Sequence, residues 1–334
     1  MRAFALLSGG LDSILAAKLI QQQNIEVIPL HYQIPFCKRS KDPMSASDRI
    51  SQLTQKYLHS AIRTIDIKNE FLEIVRAPAH GFGSHMNPCI DCKILMLSHA
   101  RAMMQQEGVA FVVTGEVVGQ RPMSQHKKTL ELIMRKSGLE GLLVRPLSAK
   151  ILPDTIPEQK GWISGEKLLD FNGRTRKPQF ALAKELGVAE YAQPAGGCLL
   201  TDPIFSKRLK DLVSHDELNS HNVELLKIGR HFRVDKHTKL IVGRDEKEDA
   251  VLVRLAQESD YLFYPDEVTA GATSLGRGEF NEELLILAAR ITGRYFDLHG
   301  KPEAEILYRR ANKQEDRRIK VCPLPEEELV KLRI

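Results

Sequence analysis

The chain is short of several things. Tryptophan occurs once, at Trp162, and aromatic residues account for 6% of 334 positions. The core therefore has to be built mainly from aliphatic side chains. There are five cysteines, an odd and low number for this length. A secreted framework of paired disulfides is excluded on that count, and a reducing cytoplasm is the expected compartment. No run approaches the ~18 apolar residues of a membrane span. The apolar opening, Ala3 to Leu7, is too short for a signal-peptide core and passes straight into Ser8-Gly9-Gly10. Gly-x-x-x-x-Gly-Lys is absent, which excludes the P-loop of ordinary NTPases. Gly-x-Gly-x-x-Gly is absent too, which removes the dinucleotide fingerprint. There is no His-Glu-x-x-His, no second Cys-x-x-Cys, no internal repeat and no low-complexity tract.

What remains is the composition of a folded protein, 43% hydrophobic and 27% charged. The length suggests two domains. Forty-eight Lys and Arg against forty-three Asp and Glu leave a net charge of +5, which permits a polyanionic partner without requiring one. In the first half, strand patterns at Ala3–Leu7, Glu26–Tyr32, Ala61–Ile67, Val109–Thr114 and Leu142–Val144 alternate with helical patterns. Those helices are expected from Leu11 to Ile20, over Ser47–His59 and over Ile94–Gln106. Such alternation predicts an α/β domain with a doubly wound parallel sheet. Prolines 153, 157, 178 and 194 then punctuate the chain, with Pro178 suited to the first turn of a helix reaching about Leu186. Past Asp202-Pro203 the character changes. Arg230–Val234 and Lys239–Val242 read as a hairpin, and helices are expected at Glu246–Gln257 and Asn281–Tyr295. The expected division is residues 1–205 and a smaller α+β domain over 206–334.

The sharpest chemical signal is Ser8-Gly9-Gly10-Leu11-Asp12-Ser13, set between the first strand and the first helix. Two glycines allow close backbone approach to an anion, and the unpaired N–H groups of the helix start point at it. Ser8 and Ser13 add hydroxyl donors. Asp12 fits beside phosphates if it holds Mg²⁺. Cys89-Ile-Asp-Cys92 is half of a metal site or a redox pair, placed just before a helix, where a thiol is acidified. Cys198 stands in Gly196-Gly197-Cys198. Three such thiols could hold a 4Fe-4S cluster with one iron open, or zinc. His80 and His85 are candidate fourth ligands. Cys37 and Cys322 read as inert, and Trp162 as packing.

Ser-Gly-Gly-x-Asp-Ser after an N-terminal strand resembles the PP-loop of the ATP pyrophosphatases, an adenine nucleotide alpha hydrolase-like fold. Asn87-Pro88-Cys89-Ile90-Asp91-Cys92 with the distant Gly-Cys198 is similar to the tRNA-thiolating branch of that superfamily. Gly115-Glu116-Val117-Val118-Gly119-Gln120 and Arg145-Pro146-Leu147 resemble segments of 4-thiouridine synthetases, and Asn-Pro-Cys-x-x-Cys is shared with tRNA 2-thiouridylases. The resemblance covers about residues 1–205. Gly119–Gln125 and Ala195–Pro203 further resemble a prokaryotic thiolase family whose C-terminal domain is NFACT-like and RNA-binding.

The resemblance implies an ATP-dependent tRNA sulfurtransferase. ATP and Mg²⁺ would lie on Ser8, Gly9, Gly10, Asp12 and Ser13, with His31, Gly115, Glu116 and Gln120 at the nucleotide or target base. Cys92 and Cys198 would be the catalytic pair. Cys89 would complete a cluster set, and the sulfur would come from a cysteine desulfurase or free sulfide. Basic residues suited to an RNA track are Arg121, Lys127, Lys128, Arg145, Arg174, Arg176, Arg230, Arg309, Arg310, Arg317 and Arg318. Two other readings stand beside this one: a synthetase adenylating a small carboxylate or amide, and a non-catalytic RNA-binding protein with a structural zinc.

Overall fold

The structure, a computed structural model, describes residues 1–36, 45–192 and 198–334. It divides into two compact units, Met1–Thr201 and Asp202–Ile334. Among the described residues no helix is long and apolar enough to cross a membrane.

The first unit runs β1 (Arg2–Leu6), α1 (Leu11–Gln21), β2 (Glu26–Gln33), α2 (Ala46–Leu58), β3 (Arg63–Asp66), α3 (Lys68–Arg76), α4 (Cys89–Glu107), β4 (Phe111–Thr114), α5 (Lys127–Lys136), β5 (Leu143–Val144), α6 (Ile156–Gln159) and α7 (Lys177–Glu185). Its strands pair in parallel in the order β3-β2-β1-β4-β5. From β1 the chain winds outward through β2 to β3, then crosses back to β4. The direction of winding therefore reverses between β1 and β4, and a crevice opens beyond their carboxyl ends.

The period-2 alternation of β1 divides the core. Ala3 and Ala5 face one layer, built with Ile14, Leu15 and Leu19 of α1, Leu53 and Tyr57 of α2 and Leu182 of α7. Phe4 faces the other layer, with Leu97, Ala100 and Met104 of α4 and Ile133 of α5. Two alanines on one face of the central strand let α1 approach it closely. This helix, with eight of its eleven residues buried, needs that room.

The second unit runs α8 (Pro203–Ser214), α9 (Ser220–Leu225), β6 (Arg230–Asp235), β7 (Thr238–Val242), α10 (Glu246–Leu255), β8 (Tyr261–Tyr264), β9 (Ser274–Gly278), α11 (Glu282–Gly293), β10 (Ala304–Arg310), β11 (Arg317–Val321) and α12 (Glu326–Leu332). Its sheet is antiparallel, in the order β11-β10-β8-β9-β7-β6. Ala288, Ala289 and Ile291 of α11 pack on one face with Phe232, Phe263 and Ile306. Leu225 and Leu252 pack on the other with Ile241 and Leu262. Asp211 gathers Arg233 at 2.6 Å and Lys239 at 3.0 Å beneath this sheet.

The expected strands and helices of the first half are present, within a few residues at their ends. The exception is α4, which starts at Cys89 rather than after Cys92. Pro88 occupies the position before the first turn, and Cys92 N–H already donates to its carbonyl at 2.9 Å. The hairpin β6–β7 and helices α10 and α11 lie where the sequence places them.

Leu15 is fully buried between α1 and the sheet. Leu15→Ala is expected to cost about 2–5 kcal/mol of unfolding free energy. Urea melts of the two variants read this as a lower midpoint at unchanged slope.

Candidate functional site

The loop after β1 is shaped by one glycine. Gly9 has φ +75, and a Cβ there would stand 2.8 Å from Ile50 Cγ1, so a side chain is opposed by both backbone and space. The turn is closed by Ser13 Oγ, which donates to Gly10 O at 2.8 Å, and by Ala192 N–H, which donates to Gly9 O at 2.8 Å. Ser8 and Ser13 hydroxyls are 3.4 Å apart. No side chain caps α1 at Gly10, which leaves its first-turn N–H groups directed into the turn. His31 holds the outer side through Nδ1 to Leu7 O at 3.0 Å. Burial lowers its pKa below 6.5 against that hydrogen bond, which keeps the ring neutral.

Asp12 is the focus of the turn. Gln120 Nε2 donates to its Oδ2 at 2.7 Å, Arg176 approaches Oδ1 at 3.5 Å, and Gln179 Nε2 donates to Gln120 Oε1 at 3.0 Å. Arg176 also lies over Phe180, 5.4 Å from the ring centre. Arg176 was grouped with the RNA-contacting cations by its place in Arg174-Thr-Arg176-Lys177. The fold instead turns its guanidinium onto the Asp12 turn. Gln179 carried no sequence signal at all, because an amide in a helix is unremarkable until its neighbours are known.

Gly115 and Glu116 follow β4. A Cβ on Gly115 would stand 2.4 Å from Asp12 O, so only glycine lets β4 end against the start of α1. Glu116 does not face the turn. It is 6% exposed and paired with Lys93 Nζ and, at 2.9 Å, with Arg145 Nε, while Thr114 Oγ1 donates to it at 3.2 Å. Burial would raise its pKa. The two cations and their hydrogen bonds outweigh burial and bring it down to about 2 from 4.5. Two expectations are corrected here. Glu116 braces the fold and does not line the nucleotide pocket. Arg145, 5% exposed and bonded to Glu116 and to Leu130 O at 3.1 Å, is a buried counter-ion and not part of an RNA track.

The thiols lie on segments at the same carboxyl edge. Ala110 N–H donates to Arg2 O at 2.9 Å, which puts the end of α4 at the start of β1. At 1.5 Å per residue the nineteen residues of α4 span roughly 28 Å, and this carries Cys89 and Cys92 to the opposite, ligand-binding edge. Cys198 Sγ lies 3.8 Å from Phe36 O, just past the end of β2. Met86 N–H donates to Leu200 O at 3.2 Å and ties the Cys198 segment to the one that precedes Cys89. Burial pushes the Cys89 thiol up, against Lys93, Arg121 and a hydrogen bond with Asn87. The expected acidification at the helix start is therefore overridden for this cysteine.

His80 is not placed as a metal ligand. Its Nδ1 meets Asp91 Oδ1 at 2.7 Å and its N–H donates to Oδ2 at 3.0 Å, which clamps the preceding loop onto α4. Among the described residues no three Cys, His, Asp or Glu side chains stand together as a metal-holding group. Cys89, Cys92 and Cys198 therefore do not form such a group here. Gly196 and Gly197, and Cys37, lie outside the described residues. Cys322, read as inert, is exposed.

The remaining cations divide by use. Arg121, Lys127, Lys128 and Arg174 are exposed on the first unit. Arg309 is spent on the β10–β11 turn, donating to Lys313 O at 2.6 Å and Tyr264 Oη at 3.1 Å. Arg230 lies 4.7 Å over Tyr295 and donates to Gly243 O at 2.8 Å. Arg310, Arg317 and Arg318 are exposed at the β10–β11 edge, Arg318 pairing Glu305 at 2.9 Å.

Two segments of the chain match known families. Residues 1–150 match the family model described as thiamine biosynthesis protein (ThiI), and residues 229–333 match that of the NFACT protein RNA binding domain. A probable tRNA sulfurtransferase of Thermococcus kodakarensis is 28% identical over 147 residues, 44% of this chain and 36% of the relative. One of Methanosarcina mazei is 28% identical over 120 residues, 34% of this chain and 28% of the relative. The chain thus aligns with about a third of the length of these curated relatives. A solved 4-thiouridine synthetase–RNA complex with bound ATP is 16% identical, covering 68% of this chain and 52% of that one at a TM-score of 0.36. The resemblance drawn from the motifs stands. A segment similar to tRNA sulfurtransferases is joined to an NFACT-like C-terminal segment.

Glu116 supplies a pH signature. Its folded pKa lies below the unfolded value, so its stabilisation is complete above about pH 4.5 and is lost as pH falls toward about 2. Glu116→Gln strands Lys93 and Arg145 and is expected to cost about 3–5 kcal/mol at neutral pH. Its stability should then vary less than that of the parent between those two pH values. Urea melts at a series of pH values check both; equal acid slopes would remove the ion cluster from the account.

Proposed function

We propose that the chain uses ATP to adenylate a carbonyl oxygen of a tRNA nucleobase and then replaces that oxygen with sulfur. The observation that carries this reading is the Ser8–Ser13 turn at the β1/β4 switch point. Asp12 is held there by Gln120 and Arg176, and thiol-bearing segments reach the same edge of the sheet.

The base oxygen attacks the α-phosphorus, the new O–P bond forms, and the bond to the β-phosphate breaks. Pyrophosphate departs into the turn, where the first-turn N–H groups of α1 and the hydroxyls of Ser8 and Ser13 receive the developing charge. Arg176 adds a cation within reach of those phosphates. Asp12 offers a single carboxylate, the donor set expected for Mg²⁺ that arrives with its nucleotide and neutralises phosphate charge. Gly115 keeps the floor of the crevice open to the turn.

Sulfur delivery is assigned to the cysteine pair. The terminal sulfur of a persulfide on Cys198 attacks the activated carbon, and AMP leaves with the former carbonyl oxygen. The base is then linked to Cys198 through a disulfide. Cys92 thiolate attacks Cys198 Sγ, which releases the thiocarbonyl base and forms a Cys92–Cys198 disulfide; a dithiol reductant restores both thiols. A cysteine desulfurase that carries a persulfide reloads Cys198: the Cys198 thiolate takes its outer sulfur and the donor's own thiolate leaves. Iron and acid-labile sulfide measured in anaerobically purified protein separate this route from one through a cluster on Cys89, Cys92 and Cys198. Finding both would overturn the persulfide assignment and leave the adenylation step standing.

With ATP, a sulfur source and unmodified tRNA, Asp12→Asn is expected to slow pyrophosphate release by about 100-fold or more. Cys198→Ala should release pyrophosphate but make no thionucleoside, read by nucleoside mass spectrometry. Thionucleoside formed by Cys198→Ala at the parent rate would remove Cys198 from the chemistry, and pyrophosphate release indifferent to tRNA would remove tRNA as the substrate.

A further inference from the structure

Among the aromatic residues of the first unit two are exposed, while Trp162, Phe171 and Tyr191 are partly buried against its core. Phe4, Phe36, Phe71 and Phe111 are fully buried, and Tyr32 and Tyr57 nearly so. The exposed large hydrophobic residues of this unit, among those described, are Met1, Phe82 and Phe180, the two phenylalanines at 40% and 49%.

Phe180 is linked to the Asp12 turn through one residue, and Phe82 through the loop that carries Met123 and Gln120. Phe180 carries the guanidinium of Arg176 over one face, and that guanidinium reaches Asp12. Phe82 sits between Gly81, with φ +69 and open space around it, and Gly83. Gly83 N–H donates to Asn87 O at 2.9 Å, and a Cβ on Gly83 would stand 2.2 Å from Met123 Sδ, in the loop that delivers Gln120 to Asp12. The backbone that follows Phe82 is therefore held at Gly83 while the ring is exposed. A ring held out in water by a fixed backbone costs hydrophobic free energy unless a partner covers it.

We propose that Phe82 and Phe180 are stacking platforms for nucleobases of the RNA substrate, at and beside the position presented to the Asp12 turn. Base stacking on aromatic and guanidinium planes is how unpaired RNA is held, and a base undergoing chemistry has to leave its helix to be reached. Arg176 over Phe180 supplies both kinds of plane at once. The exposure favours a polymer's base over the adenine of ATP, because a small ligand is expected to be enclosed on most of its surface. Arg174 and Lys177, both exposed beside Phe180, and Arg121, exposed in the loop that covers Gly83, provide cations for the adjoining phosphates.

The proposal rests on the tRNA reading given above, and its test separates the two. Affinities of the full chain for an unmodified tRNA transcript and, separately, for ATP are measured for the parent, Phe82→Ala, Phe180→Ala, Phe180→Trp and Arg174→Ala, over a range of salt. Each alanine variant at a phenylalanine is expected to weaken RNA binding by about fivefold or more. ATP affinity, melting temperature and the salt slope should stay at the parent values, since stacking releases no counterions. Phe180→Trp should restore RNA affinity. Arg174→Ala should instead flatten the salt slope. Unchanged RNA affinity in both alanine variants overturns the proposal. So does a parallel loss of ATP affinity in Phe180→Ala, which would give that ring to adenine. A parent chain that binds ATP but no RNA overturns the tRNA reading itself.

Discussion

The contact between Gly115 and the first turn of α1 is the constraint on which the site depends. A single added methyl would stand 2.4 Å from the carbonyl oxygen of Asp12. The ends of β1 and β4 can therefore diverge to open a crevice while their loops stay in touch. The next residue secures this from below. Glu116 binds Lys93 from the start of α4 and Arg145 from beyond β5, so one buried carboxylate fixes the helix that bears two thiols and the strand beside the crevice. Desolvating three charges is costly, and the cluster is tolerable because each oxygen of the carboxylate meets a cation.

Charge in this protein serves two ends that composition cannot separate. Arg145 and Arg233 are structural cations wrapped by acids, and Arg309 is consumed by a turn. Arg176 is turned onto Asp12. What remains for a polyanion is a smaller set of exposed cations: Arg121, Lys127, Lys128 and Arg174 on the first unit, and Arg310, Arg317 and Arg318 along the β10–β11 edge of the second. On β11, an edge strand, lysine and arginine also discourage pairing with another sheet, so charge there has a structural use even without RNA.

The thiols show the same division between proximity and chemistry. The length of α4 and the Met86–Leu200 hydrogen bond bring the two segments that bear Cys89, Cys92 and Cys198 to one edge. Convergence of segments is weaker than convergence of side chains. Cys89 is half-buried and desolvation pushes its thiol pKa up, and Asp91 between the two cysteines is committed to His80. Asp91 and His80 thus build the turn that leads into α4, whatever the thiols beside them do.

Short-range patterns in the sequence determined the parallel fold and the phosphate turn. The alternation Ala3-Phe4-Ala5, the β-branched run before Thr114 and the pair Gly9-Gly10 act through nearest-neighbour sterics and periodicity, which a linear reading captures. Strands β9 and β11 escaped that reading, because Ser274–Gly278 holds two glycines and Arg317–Val321 is mostly cationic, so partner strands and not local propensity make them strands. Only the tertiary structure decided that Arg176 and Gln179 join Asp12, that Arg145 and Glu116 bury each other, and that two phenylalanines remain in water. Each depends on which segments, 29 to 164 residues apart, end beside one another, and that distance is set by the packing of the whole core.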